Sequence, residues 1–376
     1  MNNYKNISLF DGLNSLRFFA AFLVVLHHAE SIRKKNVMEN LEWFGLFRNG
    51  DNAVTFFFVL SGFLITYLLL KETSKTGTIS IKNFYIKRML RIWPLYFLLV
   101  IIGTLIVPEV FGLLHINYVM PYSFGQVWFY FVFFLPGIVS FIFGHHLLEP
   151  LWSIGIEEVF YLIWAPLFKI AKRRIVPILL AIIIIKVVLL ILAQFWIKDP
   201  LFVYTVNIFR FEAMAIGGLG ACYIFNRRTS LSDLRIYNKP VQIIIYTTLI
   251  AFLIFQSNIQ NVIWQTIFFT PIVSSILIDL IFLYLIVGVS LIDNNIIKLK
   301  NKVLSYLGEI SYGIYMYHVI VISAVIQFLK GYLNNLSPFF SAVIFYTIVI
   351  LAVILISAIS KIVFEDYFLK LKKKLN

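Results

Sequence analysis

Apolar stretches long enough to cross a bilayer recur from one end of this 376-residue chain to the other, and they constrain its fold more than any other feature. They fall near residues 10–30, 52–71, 92–109, 125–143, 151–169, 175–196, 202–224, 241–257, 266–292, 306–329 and 339–360. A helix of about 20 apolar residues matches the hydrocarbon thickness, and in lipid the backbone must satisfy its own hydrogen bonds. The expected fold class is all-α, a polytopic integral membrane protein. A soluble chain could not hide the 61% of residues that are apolar behind the 13% that are charged. One cysteine, Cys222, supplies neither a disulfide framework nor a thiolate metal site. Lys5 precedes the first apolar run and no small-residue cleavage site follows it, so that run reads as a retained span rather than a signal peptide.

The net charge of +14 becomes informative once the charges are placed along the chain. If 125–143 does not cross and the N-terminus is inside, 23 Lys and Arg lie in cytoplasmic segments and six outside. If 125–143 does cross, the counts become 9 and 20. The positive-inside rule selects the first arrangement: about ten transmembrane helices with both termini cytoplasmic, in the cytoplasmic (inner) membrane. Pro136-Gly137 in the middle of 125–143 suits a broken, non-crossing piece. Residues 9–360 then form one membrane-embedded domain, and 361–376 a basic cytoplasmic tail suited to anionic lipid heads.

Five polar constellations stand out against this background. Arg17 and His28, eleven residues apart in the first stretch, share a helix face at roughly 16 Å along the axis. Ionisable residues within spans usually face the bundle interior or a wet cavity. His27 points about 100° away from His28. Ser61-Gly62, in FFFVLSGF, are small residues of the kind that lets helices approach closely. Arg88 and Arg91 share a face at i, i+3 beside a predicted cytoplasmic mouth, where two guanidiniums suit either phosphates or an ordinary positive flank. Trp152, Ser153, Glu157 and Glu158 open the fifth stretch, where a carboxylate could pair with an arginine, orient an imidazole or complement the helix dipole. The fifth group is Arg210 and Glu212, with Tyr312, Tyr315, Tyr317 and His318 further on. Walker A, HExxH, CxxC and dinucleotide fingerprints are absent, and no metal is expected despite the adjacent His145 and His146.

Taken in order, these pieces resemble the integral-membrane acyltransferase family 3, bacterial enzymes that O-acylate cell-surface carbohydrates. The family's Arg-x10-His falls on Arg17 and His28, its FFVLSGF on Phe57–Phe63, and its RxxRxxP on Arg88, Arg91 and Pro94. WSxxxEE falls on Trp152–Glu158, RF on Arg210-Phe211, and SYxxYxxH on Ser311–His318. Members often carry an acid two positions before FFVLSGF, where this chain has Thr55; Asp51 lies one turn earlier. The resemblance implies transfer of an acetyl (acyl) group from acetyl-CoA, a co-substrate rather than a bound cofactor, to a hydroxyl of an exported or lipid-linked sugar. Donor phosphates are expected on Arg88 and Arg91, with the pantetheine arm passing Arg17. His28 is the expected general base, since imidazole titrates near the working pH and needs no cofactor. Glu157 would hold its tautomer or pair with Arg17. Ser61, Trp152, Ser153, Arg210, Tyr312 and His318 are expected to bind substrate or to be structural polar groups.

Members that O-acetylate peptidoglycan commonly add a span and an extracellular hydrolase-like domain. Neither is present in this sequence, which turns the expectation toward an exopolysaccharide, O-antigen or glycolipid acceptor. The other reading of a buried Arg/His relay is a transporter or flippase, which acyl-CoA binding would distinguish. Neither reading involves nucleic acid.

Overall fold

The computed structural model of the chain describes residues 4–7, 10–115, 120–171, 174–256 and 271–373. Among these every regular element is helical. In chain order the first eight helices are α1 (Leu13–Lys35), α2 (Gly50–Thr76), α3 (Ile81–Ile101), α4 (Val107–Leu113), α5 (Phe124–Val132), α6 (Pro136–Phe143), α7 (Leu151–Ala171) and α8 (Ile175–Phe195). They are followed by α9 (Pro200–Ile208), α10 (Phe211–Asn226), α11 (Lys239–Phe255), α12 (Pro271–Leu291), α13 (Lys302–Glu309), α14 (Ser311–Leu333), α15 (Pro338–Ser360) and α16 (Asp366–Lys373).

Seven helical stretches among the described residues are long and apolar enough to cross a membrane. They are α1, α2, α3 with α4, α8, α9 with α10, α14, and α15 with its continuation to Lys372. Helix α11 and residues Ser275–Leu291 of α12 are apolar but shorter. The 21 residues of α7 extend about 32 Å at 1.5 Å each. The protein is therefore an all-helical polytopic membrane protein. Leu9, the basic pair Lys172-Arg173, residues 257 and 266–270 of two expected spans, and 374–376 of the basic tail lie outside the described residues.

Two stretches are not continuous helices. Residues 125–143, expected not to cross, fall in α5 and α6, of 9 and 8 residues, neither of them of spanning length. Phe134 between them has φ 57°, and Gly155 of α7 leaves room for its carbonyl. The 202–224 stretch, expected as one span, breaks at Phe209-Arg210 between α9 and α10. Lys186 of α8 donates to the carbonyls of Val206 and Phe209 (2.5 and 2.6 Å), which the break would otherwise leave bare.

The helices gather in two compact units. One comprises Met1–Ala20, Phe44–Ser80 and Phe160–Gly308, the other Ala21–Trp43, Ile81–Val159 and Glu309–Asn376. In the first, α2 and α10 cross closely through Gly62 and Gly217. A Cβ on Gly62 would run into the Met214 carbonyl, and one on Gly217 into that of Val59. Between helices in lipid, van der Waals packing of small residues is what holds such a crossing together. Gly62→Val is accordingly expected to cost at least about 1–3 kcal/mol through overpacking. Thermal unfolding of detergent-solubilised protein checks this, and an unshifted transition would show that the helices can part without penalty.

In the second unit, the end of α1 carries a buried ion pair. Arg33 Nη1 donates to Glu30 Oε1 at 2.7 Å, with the two side chains 2% and 0% exposed. Tyr346 and the Leu41 amide also donate to Glu30, and the Arg33 guanidinium lies 5.2 Å from the Phe345 ring centre. The helix runs on to Lys35, and the Met38 amide donates to the Arg33 carbonyl as the chain turns back beside it. Glu30→Ala leaves a buried guanidinium without its carboxylate, an expected loss of about 3–5 kcal/mol. A melting temperature equal to that of the parent protein would contradict this.

Candidate active site

The second unit holds a line of polar side chains contributed by α3, α7, α14 and the latter part of α1. At one end His28 and His318 face each other, with Nδ1 of His28 and Nε2 of His318 3.1 Å apart. His318 Nδ1 lies 2.6 Å from the Tyr315 carbonyl. A carbonyl oxygen only accepts, so His318 Nδ1 carries a proton and, in the neutral ring, its Nε2 is the acceptor. His28 Nδ1 must then be the donor. It is shared between His318 and the Val24 carbonyl, also at 3.1 Å. This assignment leaves the lone pair of His28 on Nε2.

Three and six residues back along α14, Tyr315 and Tyr312 are turned about 60° and 120° from His318 and span about 9 Å of axis. The Tyr315 hydroxyl donates to the Pro150 carbonyl at 3.0 Å, and Ser153 of α7 donates to the Tyr315 oxygen at 2.7 Å. The Tyr312 hydroxyl donates to the Ile92 carbonyl of α3 at 2.9 Å. One residue on, Trp93 Nε1 donates to Glu158 Oε2 at 2.8 Å. The other Glu158 oxygen is buried and accepts no hydrogen bond among the described residues.

The line ends at Arg88 and Arg91. Glu158 feels the charge of Arg88, and Lys372 of α16 those of Arg91, Arg88 and Lys87, so four basic side chains neighbour one another there. Glu158 and Glu365 offset part of this positive charge, and the excess suits a polyanion.

Of the residues singled out in the sequence, His28, Arg88, Arg91, Trp152, Ser153, Glu157, Tyr312 and His318 belong to this second unit. Arg17, Ser61 and Arg210 belong to the first. There the Ser61 hydroxyl is hydrogen-bonded to that of Tyr161. Arg210 Nε donates to Glu212 Oε1 at 2.7 Å, and its Nη2 lies 3.5 Å from Asp279 Oδ1. Sequence reasoning did not foresee His318 as the partner of His28, nor any role for Lys186 and Asp279. The only signal for the latter two was a lone charge in an apolar run.

The adjacent histidines have other tasks. His145 pairs with Glu149 at 2.8 Å. Tyr122 and Ser140 occupy the two ring nitrogens of His146 at 2.8 and 3.1 Å. Burial, with His145 beside it, pushes the His146 imidazole down to about 3, so the ring is neutral. No three His, Cys, Asp or Glu side chains gather as a metal site among the described residues.

Residues 10–360 match the family described as Acyltransferase domain, and the chain belongs to that family. A Staphylococcus aureus (strain COL) protein is 27% identical over 344 residues, 86% of this chain and 52% of its own length. The peptidoglycan O-acetyltransferase OatA of Listeria monocytogenes is 27% identical over 338 residues, 85% of this chain and 50% of its own. The O-acetyltransferase OatA of Staphylococcus aureus (strain NCTC 8325) is 28% identical over 218 residues, 55% of this chain and 33% of its own. The chain thus spans about half the length of the first two of these relatives. No solved structure matches it.

Proposed function

We propose that this chain is a membrane O-acyltransferase that moves an acetyl group from acetyl-CoA to a sugar hydroxyl of an exported or lipid-linked cell-surface glycan. The observation that carries the reading is the single polar line of the second unit. It joins a group of four basic side chains to a histidine whose Nε2 is left unprotonated by the hydrogen bonds at Nδ1. Membership of an acyltransferase family, and relatives named for O-acetylation, support the same chemistry.

In this reading Arg88 and Arg91 hold the phosphates of the donor, whose thin pantetheine arm follows the polar line toward the histidines. His28 Nε2 takes the proton of the acceptor hydroxyl as its oxygen attacks the thioester carbonyl. His28 is then an imidazolium whose Nδ1–H remains held by the lone pair of His318, so the charge forms with its partner already in place. Collapse of the tetrahedral intermediate breaks the C–S bond. The departing thiolate takes the proton back, giving acetylated sugar and free CoA. Ser153 and Tyr315 fix the turn of α14 that presents the His318 ring.

The test uses the full chain in lipid nanodiscs, with acetyl-labelled acetyl-CoA and a lipid-linked oligosaccharide extract. Label is expected in carbohydrate, as an ester removed by mild alkali. Absence of both acetyl-CoA binding and carbohydrate label would reject the reading.

A further inference from the structure

The basic group at Arg88 and Arg91 includes a residue from beyond the segment that matches the family. The match ends at residue 360, and α16 follows it. Helix α15 alone has 23 residues and extends about 35 Å, enough to cross the hydrocarbon. The chain after it therefore lies at a membrane face, within reach of a soluble donor. Between α15 and α16 comes a π-helical turn, Lys361–Glu365, in which the Asp366 amide donates to the Lys361 carbonyl. Such a turn carries one extra residue and so rotates the face that the next helix presents. It is pinned in place: Tyr317 donates to Ser360 Oγ at 2.9 Å, Ser360 Oγ to Glu365 Oε1 at 3.2 Å, and Lys361 Nζ to Glu309 Oε2 at 2.9 Å.

That rotation decides which lysine of α16 meets α3, on which the helix packs. Phe368, Leu369 and Lys372 fall within about 100° of one another and are half-buried, while Tyr367 and Lys370 lie outside this arc and are exposed. On α3, Phe84, Lys87, Arg88 and Arg91 likewise fall within about 100°. The charges that Lys372 feels are those of Arg91, Arg88 and Lys87, all positive. The side chains of Lys87, Arg91 and Lys372 make no hydrogen bond or ion pair among the described residues. Arg91 is exposed and Lys372 half-buried, so both have surface to offer a ligand. Glu158 and Glu365 set two negative charges against four positive ones. A diphosphate matches the excess, whereas a single carboxylate would leave part of it unbalanced.

We infer that Lys372 is a third direct ligand of the donor's diphosphate, so that α16 forms a wall of the donor site beside Arg88 and Arg91. The inference rests on the proposed function in taking the donor to be carried on a phosphate ester. A lysine suits the place, because its ammonium is a point charge on a flexible stem. It can meet whichever phosphate oxygens the two planar guanidiniums leave.

Isothermal titration on the full chain in phosphatidylcholine nanodiscs tests it, with acetyl-CoA and inorganic pyrophosphate as probes. Lys372→Gln is expected to weaken both about fivefold or more, and Lys372→Arg to keep most of the affinity. Lys370→Gln, on the same helix but outside the packed arc, should match the parent. Parent-level acetyl-CoA affinity in Lys372→Gln overturns the inference, as does an equal loss in Lys370→Gln. An anionic lipid headgroup carries the same phosphate chemistry, so native mass spectrometry is run on protein from discs containing phosphatidylglycerol. Bound phosphatidylglycerol lost in Lys372→Gln while acetyl-CoA affinity holds would give Lys372 to the lipid and overturn the inference. Pyrophosphate held through Lys372 by a protein that binds no acetyl-CoA would instead reject the proposed reaction and leave Lys372 a diphosphate ligand.

Discussion

Replacing His28 by alanine is expected to lower acetyl transfer by about 10²–10⁴-fold, the usual loss for a general base, while acetyl-CoA still binds. The reason is geometric: the His318 hydrogen bond at 3.1 Å fixes the Nδ1 proton and leaves Nε2 to accept. A base works unprotonated, so parent turnover should rise with pH through the titration of this imidazole and level off above it. His27→Ala is expected to keep most activity. His318 acts through His28 as a positioning residue, and His318→Ala should lower kcat without altering donor affinity. His318→Gln, whose carbonyl can still accept from His28 Nδ1, should recover part of that loss. Turnover close to the parent level in His28→Ala, measured as labelled carbohydrate, would rule out this base. A His318→Gln variant no better than His318→Ala would rule out the tautomer argument.

Changing Arg88 and Arg91 together to glutamine is expected to weaken acetyl-CoA binding at least tenfold. Each charge-assisted contact is worth about 1.5–3 kcal/mol, and Lys87 and Lys372 remain to hold part of the affinity. Binding to the parent protein should fall with ionic strength, and less steeply in the double variant. Lys75→Gln, at an exposed lysine of α2 in the first unit, should leave donor affinity unchanged. Isothermal titration in nanodiscs measures all three. Equal losses in Lys75→Gln and the arginine variant would reduce the pair to a topological flank.

The helical, multi-span nature of the protein was legible in the sequence because bilayer thickness converts directly into the length of an apolar run. The break in 125–143 was legible for a related reason: Pro136 cannot continue a helix, and the run breaks just before it. The cation cluster at Arg88 and Arg91 was half legible. Their spacing put them on one face, but Lys372 comes from a helix some 280 residues later.

The histidine pair shows where local reasoning stops. Helical periodicity could say which face of α1 His28 occupies, and it weighed Arg17 and Glu157 as its companions. It could not say that His318, 290 residues away, faces His28. Nor did it show that 202–224 breaks at Arg210, because Lys186 and Asp279 supply the compensation from other helices.

Sequence alone thus determined the solvent this chain folds in, the length and helical nature of its segments, and the list of polar residues that lipid could not hold without a reason. Each follows from a one-dimensional quantity: hydropathy, charge or residue spacing. Tertiary structure alone decided which of those polar residues meet. Pairing of groups hundreds of residues apart depends on how small-residue crossings such as Gly62 and Gly217 bring helices together. A hydrogen bond at 3 Å is set by that packing and leaves no trace in local spacing.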